Sequence, residues 1–181
     1  MTARAKLGAQ ALAVALVLAL LALLLWKVTH QNGGGAAAAI ARGEKKPAPD
    51  FTLSRLDRPG KLTLSALRGK VVVVNFWASW CYPCKLEANV LEDASKRWGK
   101  RVVFLGVDTW DFAGDGRGFM REYGITYPVV HDSKGVTPPK YGFLYLPETF
   151  FIDRRGRVVG HVPGQVTAED LQQGVQEALA A

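Results

Sequence analysis

The sequence predicts an α/β fold: a central mixed sheet with helices on both faces, preceded by one apolar N-terminal helix. Three observations predict it. VVVVNF at residues 71–76 and VVFLGV at 102–107 are continuous apolar runs of the kind buried central strands show. The first leads into a helical pattern and the second into a shorter one, the alternating order of layered α/β proteins. Residues 149–153 and 157–161 read as two strands joined by Arg154-Arg155-Gly156, which adds a hairpin to the sheet.

The elements follow in chain order. Residues 7–26, LGAQALAVALVLALLALLLW, are 20 positions without a charge, and Gln10 is the only strongly polar side chain among them. At 1.5 Å per residue they span about 30 Å, the thickness of a bilayer's hydrocarbon core. Arg4 and Lys6 precede the run, and Trp26 and Lys27 sit where interfacial residues belong. The expectation is an uncleaved, single-pass transmembrane anchor at 7–26. Residues 1–6 are then cytoplasmic and the rest of the chain extracytoplasmic. A cleaved signal peptide is the competing reading, but its apolar core is usually shorter, about 7–15 residues. Residues 27–46, rich in Gly and Ala, read as a flexible linker.

Residues 47–181 form the globular part. Residues 51–53 and 62–64 read as short strands around an Asp57-Arg58-Pro59-Gly60 turn. After the first buried strand, Leu86, Val90, Leu91 and Ala94 recur at helical spacing, and Gly99 ends that helix. Residues 101–108 contain the second strand. Gly114, Gly116 and Gly118 read as a flexible loop and helix start, with a short helix over 119–123. Val129 and Val130 suggest a brief strand. The stretch 135–145 is assigned no element, and beside Pro147 it is expected to shape partner choice. Thr167 caps a final helix whose Glu169 and Asp170 favour the positive end of its dipole.

Composition narrows function. Hydrophobic residues at 49% and charged residues at 22% exclude a wholly disordered chain. The net charge of +7 divides unevenly, with +5 on residues 1–46 and +2 on residues 47–181. A nucleic-acid-binding domain concentrates its charge on the folded part, so no nucleic-acid partner is expected. Two cysteines exclude a disulfide-framed mini-protein and an all-cysteine zinc site. His30 lies in the linker, and His131 and His161 lack paired ligand spacing, so they read as surface or loop histidines and no metal is expected.

Cys81 and Cys84 follow a buried strand and open a helix. A helix N-terminus offers free N–H groups and partial positive charge, which favour thiolate, the nucleophilic form. Pro83 fits an early helical position, where no backbone donor is needed. The second thiol lies within reach of a mixed disulfide on the first. Strand–CxxC–helix therefore predicts a redox pair, with no cofactor beyond the Cys81–Cys84 disulfide or dithiol itself. Trp80 and Tyr82 flank Cys81 as an apolar contact surface, and Trp77 is expected to pack beneath the site.

These residues carry a resemblance. VVVVNFWASWCYPC at 71–84 resembles the active-site segment of thioredoxin-like proteins. Ala48-Pro49-Asp50-Phe51 resembles the opening of the redoxin subgroup, and Pro147-Glu148-Thr149-Phe150 resembles its cis-proline segment. With the apolar N-terminal run, the chain is similar to the membrane-anchored thiol:disulfide interchange proteins of the CcmG/DsbE and ResA group. The Pro-Glu-Thr-Phe form is closer to CcmG. The resemblance covers about residues 46–181 and implies a thioredoxin-like fold. It implies Cys81 as attacking and Cys84 as resolving cysteine, and Pro147 as the cis-proline facing the disulfide. It also implies an acid at Glu87, one helical turn beyond Cys84, which takes the resolving thiol's proton or tunes both thiols. Trp80, Tyr82, Pro83 and Glu148 are the expected substrate-contact residues.

The function implied is reduction of disulfides in apocytochrome c, or in a partner that handles it, during cytochrome c maturation. A membrane thiol carrier would supply the electrons. The alternatives are a general extracytoplasmic disulfide reductase or oxidase, a peroxiredoxin-like peroxidase, and a holdase that binds without exchange. The peroxidase reading meets alanine at residue 78 and lacks the Thr-x-x pair before the cysteine.

Overall fold

The computed structural model describes residues 3–30 and 35–181. They divide into two units, one ending at Gly34 and one comprising Gly35–Ala181. The first holds a helix, α1 (Ala3–His30). Its described side chains, Gln10 and residues 12–26, are exposed. Among the described residues no helix is long and apolar enough to cross a membrane. Part of the anchor and linker expectation (residues 1–2, 31–34 and several flanking side chains) lies outside the described residues.

The second unit is built on seven strands: β1 (Thr52–Arg55), β2 (Lys61–Thr63), β3 (Val71–Trp77), β4 (Val102–Thr109), β5 (Val129–Asp132), β6 (Glu148–Ile152) and β7 (Val158–Pro163). Their order in the sheet is β2-β1-β5-β4-β3-β6-β7. β3, β4 and β5 run parallel, while β6 joins β3, and β1 joins β5, antiparallel. β3 is therefore an interior strand, flanked by β4 and β6, and all seven of its residues are buried. Its side chains alternate between faces. Val71, Val73 and Trp77 pack against α3 (Tyr82–Trp98), α4 (Ala113–Glu122) and α6 (Ala168–Ala180). Val72, Val74 and Phe76 pack on the other side with Ala36, Tyr141 and Phe143.

Helix α3 has a short period-3.6 stripe: Cys84, Glu87, Ala88, Leu91 and Glu92 are its buried positions. Lys96 and Arg97 complement its negative end, and Gly99 terminates it at φ 51°. In α6, Thr167 and Asp170 close a reciprocal capping box. Gly174 of α6 rests on the Phe151 ring so closely that a Cβ there would overlap it.

Four expectations are corrected. The linker does not run through residue 46. Gly35 begins the compact unit, and α2 (Ala36–Ala41) packs Ala36 and Ala39 into it. Gly114, Gly116 and Gly118 lie inside α4 rather than in a loop. The physical reason at Gly116 is proximity, because a Cβ there would meet Asp108 and Leu56. The stretch 135–145 contains a short helix, α5 (Pro138–Tyr141), which Gly142 ends in the left-handed region. His131 and His161 are not loop residues. They lie in β5 and β7, and each bonds a buried carboxylate.

Candidate active site

Cys81 lies just beyond the C-terminal end of β3 and is the N-cap of α3, with Pro83 in the helix's first turn. A turn brings the Cys81 N–H to the Ala78 carbonyl at 3.1 Å. The Cys84 N–H then donates to the Cys81 sulfur at 3.3 Å, so an otherwise free helix donor points at the first cysteine. The two cysteines are joined in a disulfide. Both residues are buried, Cys81 at 4% exposure and Cys84 at 1%.

Glu87 lies one turn beyond Cys84 on the same buried stripe, where residues three apart are neighbours. It is fully buried. Its Oε1 accepts from Asn75 Nδ2 at 2.8 Å and its Oε2 from the Val166 N–H at 2.7 Å. Asn75 also donates to Thr149 Oγ1 at 3.0 Å, which ties the acid to β3 and β6 at once. Burial pushes the Glu87 carboxyl up to about 7, against the pull of those two donors. This acid can therefore exchange a proton near neutral pH.

The Leu146–Pro147 peptide is cis. Its neighbour Glu148 departs from the substrate-contact expectation. It is fully buried on the sheet face opposite Asn75, opposite Phe76 in the strand register, with Oε2 on His161 Nε2 at 2.5 Å. His161 in turn stacks on Phe150 at 4.3 Å. Trp77 packs beneath the site as expected, stacked on Phe119 at 4.5 Å.

Trp80 (60% exposed) and Tyr82 (69%) stand beside the disulfide, and Pro83 is also exposed. Three further large apolar side chains that sequence reasoning did not single out are exposed: Phe112 (79%), Leu144 (81%) and Tyr145 (62%). Leu144 and Tyr145 directly precede the Leu146–Pro147 bond. Phe112 follows Asp111, whose Oδ2 accepts from the Ser79 N–H at 2.6 Å. The Trp80 indole N–H meanwhile donates to the Trp110 carbonyl at 3.1 Å.

A second acid lies below. Asp108, at the C-terminal end of β4, is fully buried and bonds His131 Nδ1 at 2.6 Å. Burial, then the charges of Asp111 and Asp115, push it up to about 8, while burial holds His131 below its usual value. Both shifts move the pair toward its uncharged forms. Among the described residues, no cluster of side chains suited to a metal ion is present.

A recessed disulfide at a helix N-terminus, a buried acid behind its second cysteine and a cis-proline segment on an α/β sheet define a thioredoxin-fold dithiol–disulfide oxidoreductase. The chain belongs to the AhpC/TSA family, whose model matches residues 45–161, and within it to the ResA/DsbE group of thiol:disulfide interchange proteins. It is 34% identical to the thiol-disulfide oxidoreductase ResA of Bacillus thuringiensis over 131 residues, covering 71% of this chain and 74% of that one. The ResA of Geobacillus thermodenitrificans is 34% identical over 162 residues, covering 88% and 91%. Among solved structures, one described as a thiol:disulfide interchange protein DsbE from Chlorobium tepidum superposes with a TM-score of 0.68 at 32% identity. It covers 74% of this chain and 96% of its own. A DsbF homologue from Corynebacterium diphtheriae gives 0.68 at 27% identity, covering 74% and 87%.

Proposed function

We propose that the protein is a membrane-tethered, extracytoplasmic reductant that reduces disulfides of apocytochrome c, or of a partner that handles it. The observation that carries this reading is the buried Glu87 carboxyl, poised near neutrality one turn from Cys84. A reductant must ionise its second thiol inside a dry site, and an acceptor of that proton is what a buried carboxylate supplies. The apolar run of residues 7–26 supports the tether. Extracytoplasmic CxxCH thiols tend to oxidise, and haem attachment needs them reduced.

The exchange runs in two displacements. The Cys81 thiolate attacks one sulfur of the substrate disulfide, forming a mixed disulfide and releasing the other sulfur as a thiolate. Glu87 takes the Cys84 proton. The Cys84 thiolate then attacks Cys81, forming the Cys81–Cys84 disulfide and releasing the second substrate thiol. Two electrons pass to the substrate, and a membrane dithiol carrier returns them. Trp80, Tyr82 and Pro83 are the rim the substrate chain meets, and Pro147 faces the disulfide across it.

The test is to mix the reduced full-length chain with two oxidised peptides, one a CxxCH sequence and one with the same cysteines in a shuffled context. The expected result is faster reduction of the CxxCH peptide, with one Cys81–Cys84 disulfide formed per peptide. Equal rates would contradict the substrate assignment and leave a general reductase.

A further inference from the structure

The loop between β4 and α4, residues 110–112, is fastened to the active-site turn although it carries no cysteine and no residue the exchange mechanism uses. Asp111 is buried, and both of its oxygens are engaged. Oδ2 accepts from the Ser79 N–H at 2.6 Å and Oδ1 from the Phe112 N–H at 2.8 Å. Ser79 lies inside the turn that the Cys81 N–H closes on the Ala78 carbonyl, so the carboxylate holds that turn from outside. One residue earlier, Trp110 stands at φ 55°, a left-handed conformation that is costly for a bulky side chain. That conformation accompanies a carbonyl that accepts the Trp80 indole N–H. The Trp110 ring is in turn seated edge-on against Phe143, with Gly135 directly beneath it where no Cβ would fit. Ser79 and Trp80, the two residues before the attacking cysteine, are thus each tied to a loop about 30 residues away.

We propose that Asp111 is a positioning residue for Cys81: its carboxylate, with the Trp110 carbonyl beside it, fixes the 78–81 turn so that the sulfur sits on the α3 N-terminus. Without the carboxylate the turn loses its charge-assisted bond at Ser79 and keeps only the Trp80 indole's bond to the Trp110 carbonyl. Cys81 then samples positions away from the Cys84 N–H. The proposal needs only the thiol–disulfide exchange of the family, not the choice of substrate.

The test measures the rate at which the reduced full-length chain reacts with glutathione disulfide, corrected for the folded fraction. Asp111→Ala is expected to slow attack by about tenfold, the size of one lost charged hydrogen bond. Asp111→Asn retains an acceptor oxygen for Ser79 and is expected to restore most of the rate. A purely structural role would lower the melting temperature of Asp111→Ala without changing the rate per folded molecule. An unchanged rate overturns the proposal. So does an Asp111→Asn rate as low as that of Asp111→Ala, since charge rather than placement would then be responsible. Should Asp111→Ala fail to fold, amide hydrogen exchange on the unaltered protein decides. Ser79 is expected to be protected in both oxidised and reduced forms, and a freely exchanging Ser79 amide would overturn the assignment.

Discussion

Cys81→Ser is expected to abolish disulfide exchange, whereas Cys84→Ser is expected to trap the substrate as a stable mixed disulfide on Cys81. The asymmetry follows from geometry. Cys81 caps α3 and its sulfur accepts the Cys84 N–H, so its thiolate is the one stabilised for attack. Cys84 is deeper on the buried stripe and can reach only what Cys81 already holds. Non-reducing electrophoresis with an oxidised protein substrate reads both results. A mixed disulfide accumulating on Cys81→Ser instead would reverse the assignment of attacking and resolving thiols.

Glu87→Gln is expected to leave the first attack near its normal rate and to slow resolution by about a hundredfold, the contribution of a positioned base. Mixed disulfide should therefore build up transiently in this variant, and quenched-flow sampling detects it. Equal slowing of both steps would mean that Glu87 acts on the site as a whole. The same substitution tests the titration of Glu87. Its carboxyl is held at about 7 when folded, against 4.5 when free. As pH rises through that window the unfolded chain gives up the proton first. The contribution of Glu87 to stability is therefore fully present below about 4.5 and lost by about 7. At about 1.4 kcal/mol per unit, the loss is about 3 kcal/mol. Urea unfolding at pH 5 and pH 8 should show the native protein losing about that much more stability than Glu87→Gln. Parallel pH profiles would contradict the burial argument.

The strands and the redox pair were legible because their signals are local. VVVVNF needs only its own residues to declare a buried strand, and CYPC declares its chemistry by following that strand and opening a helix. Glu87 was legible by spacing from Cys84, although its bonds to Asn75 and Val166 were not. What stayed hidden depends on residues far apart in sequence. Gly116 reads as a helix breaker until Asp108 and Leu56 are seen against it. The alanines of α2 read as a tether until Ala36 and Ala39 are found in the core. Glu148 reads as a substrate-contact residue beside Pro147, and its bond to His161, 13 residues on, becomes visible only in the fold. Asp111 gave no signal at all, because its partner Ser79 lies 32 residues earlier.

The Cys81–Cys84 dithiol is proposed as an electron donor, and the reduction potential of the pair decides between a donor and an acceptor. The full-length chain is equilibrated with graded dithiol–disulfide buffers, and the Cys81 and Cys84 thiols are counted by mass tagging. A buried acid beside Cys84 disfavours thiolate there and disfavours a strongly oxidising pair. The expected value is therefore low, near the roughly −270 mV of thioredoxin. A value near the roughly −120 mV of a strong oxidant such as DsbA would contradict the account and make the protein a donor of disulfides.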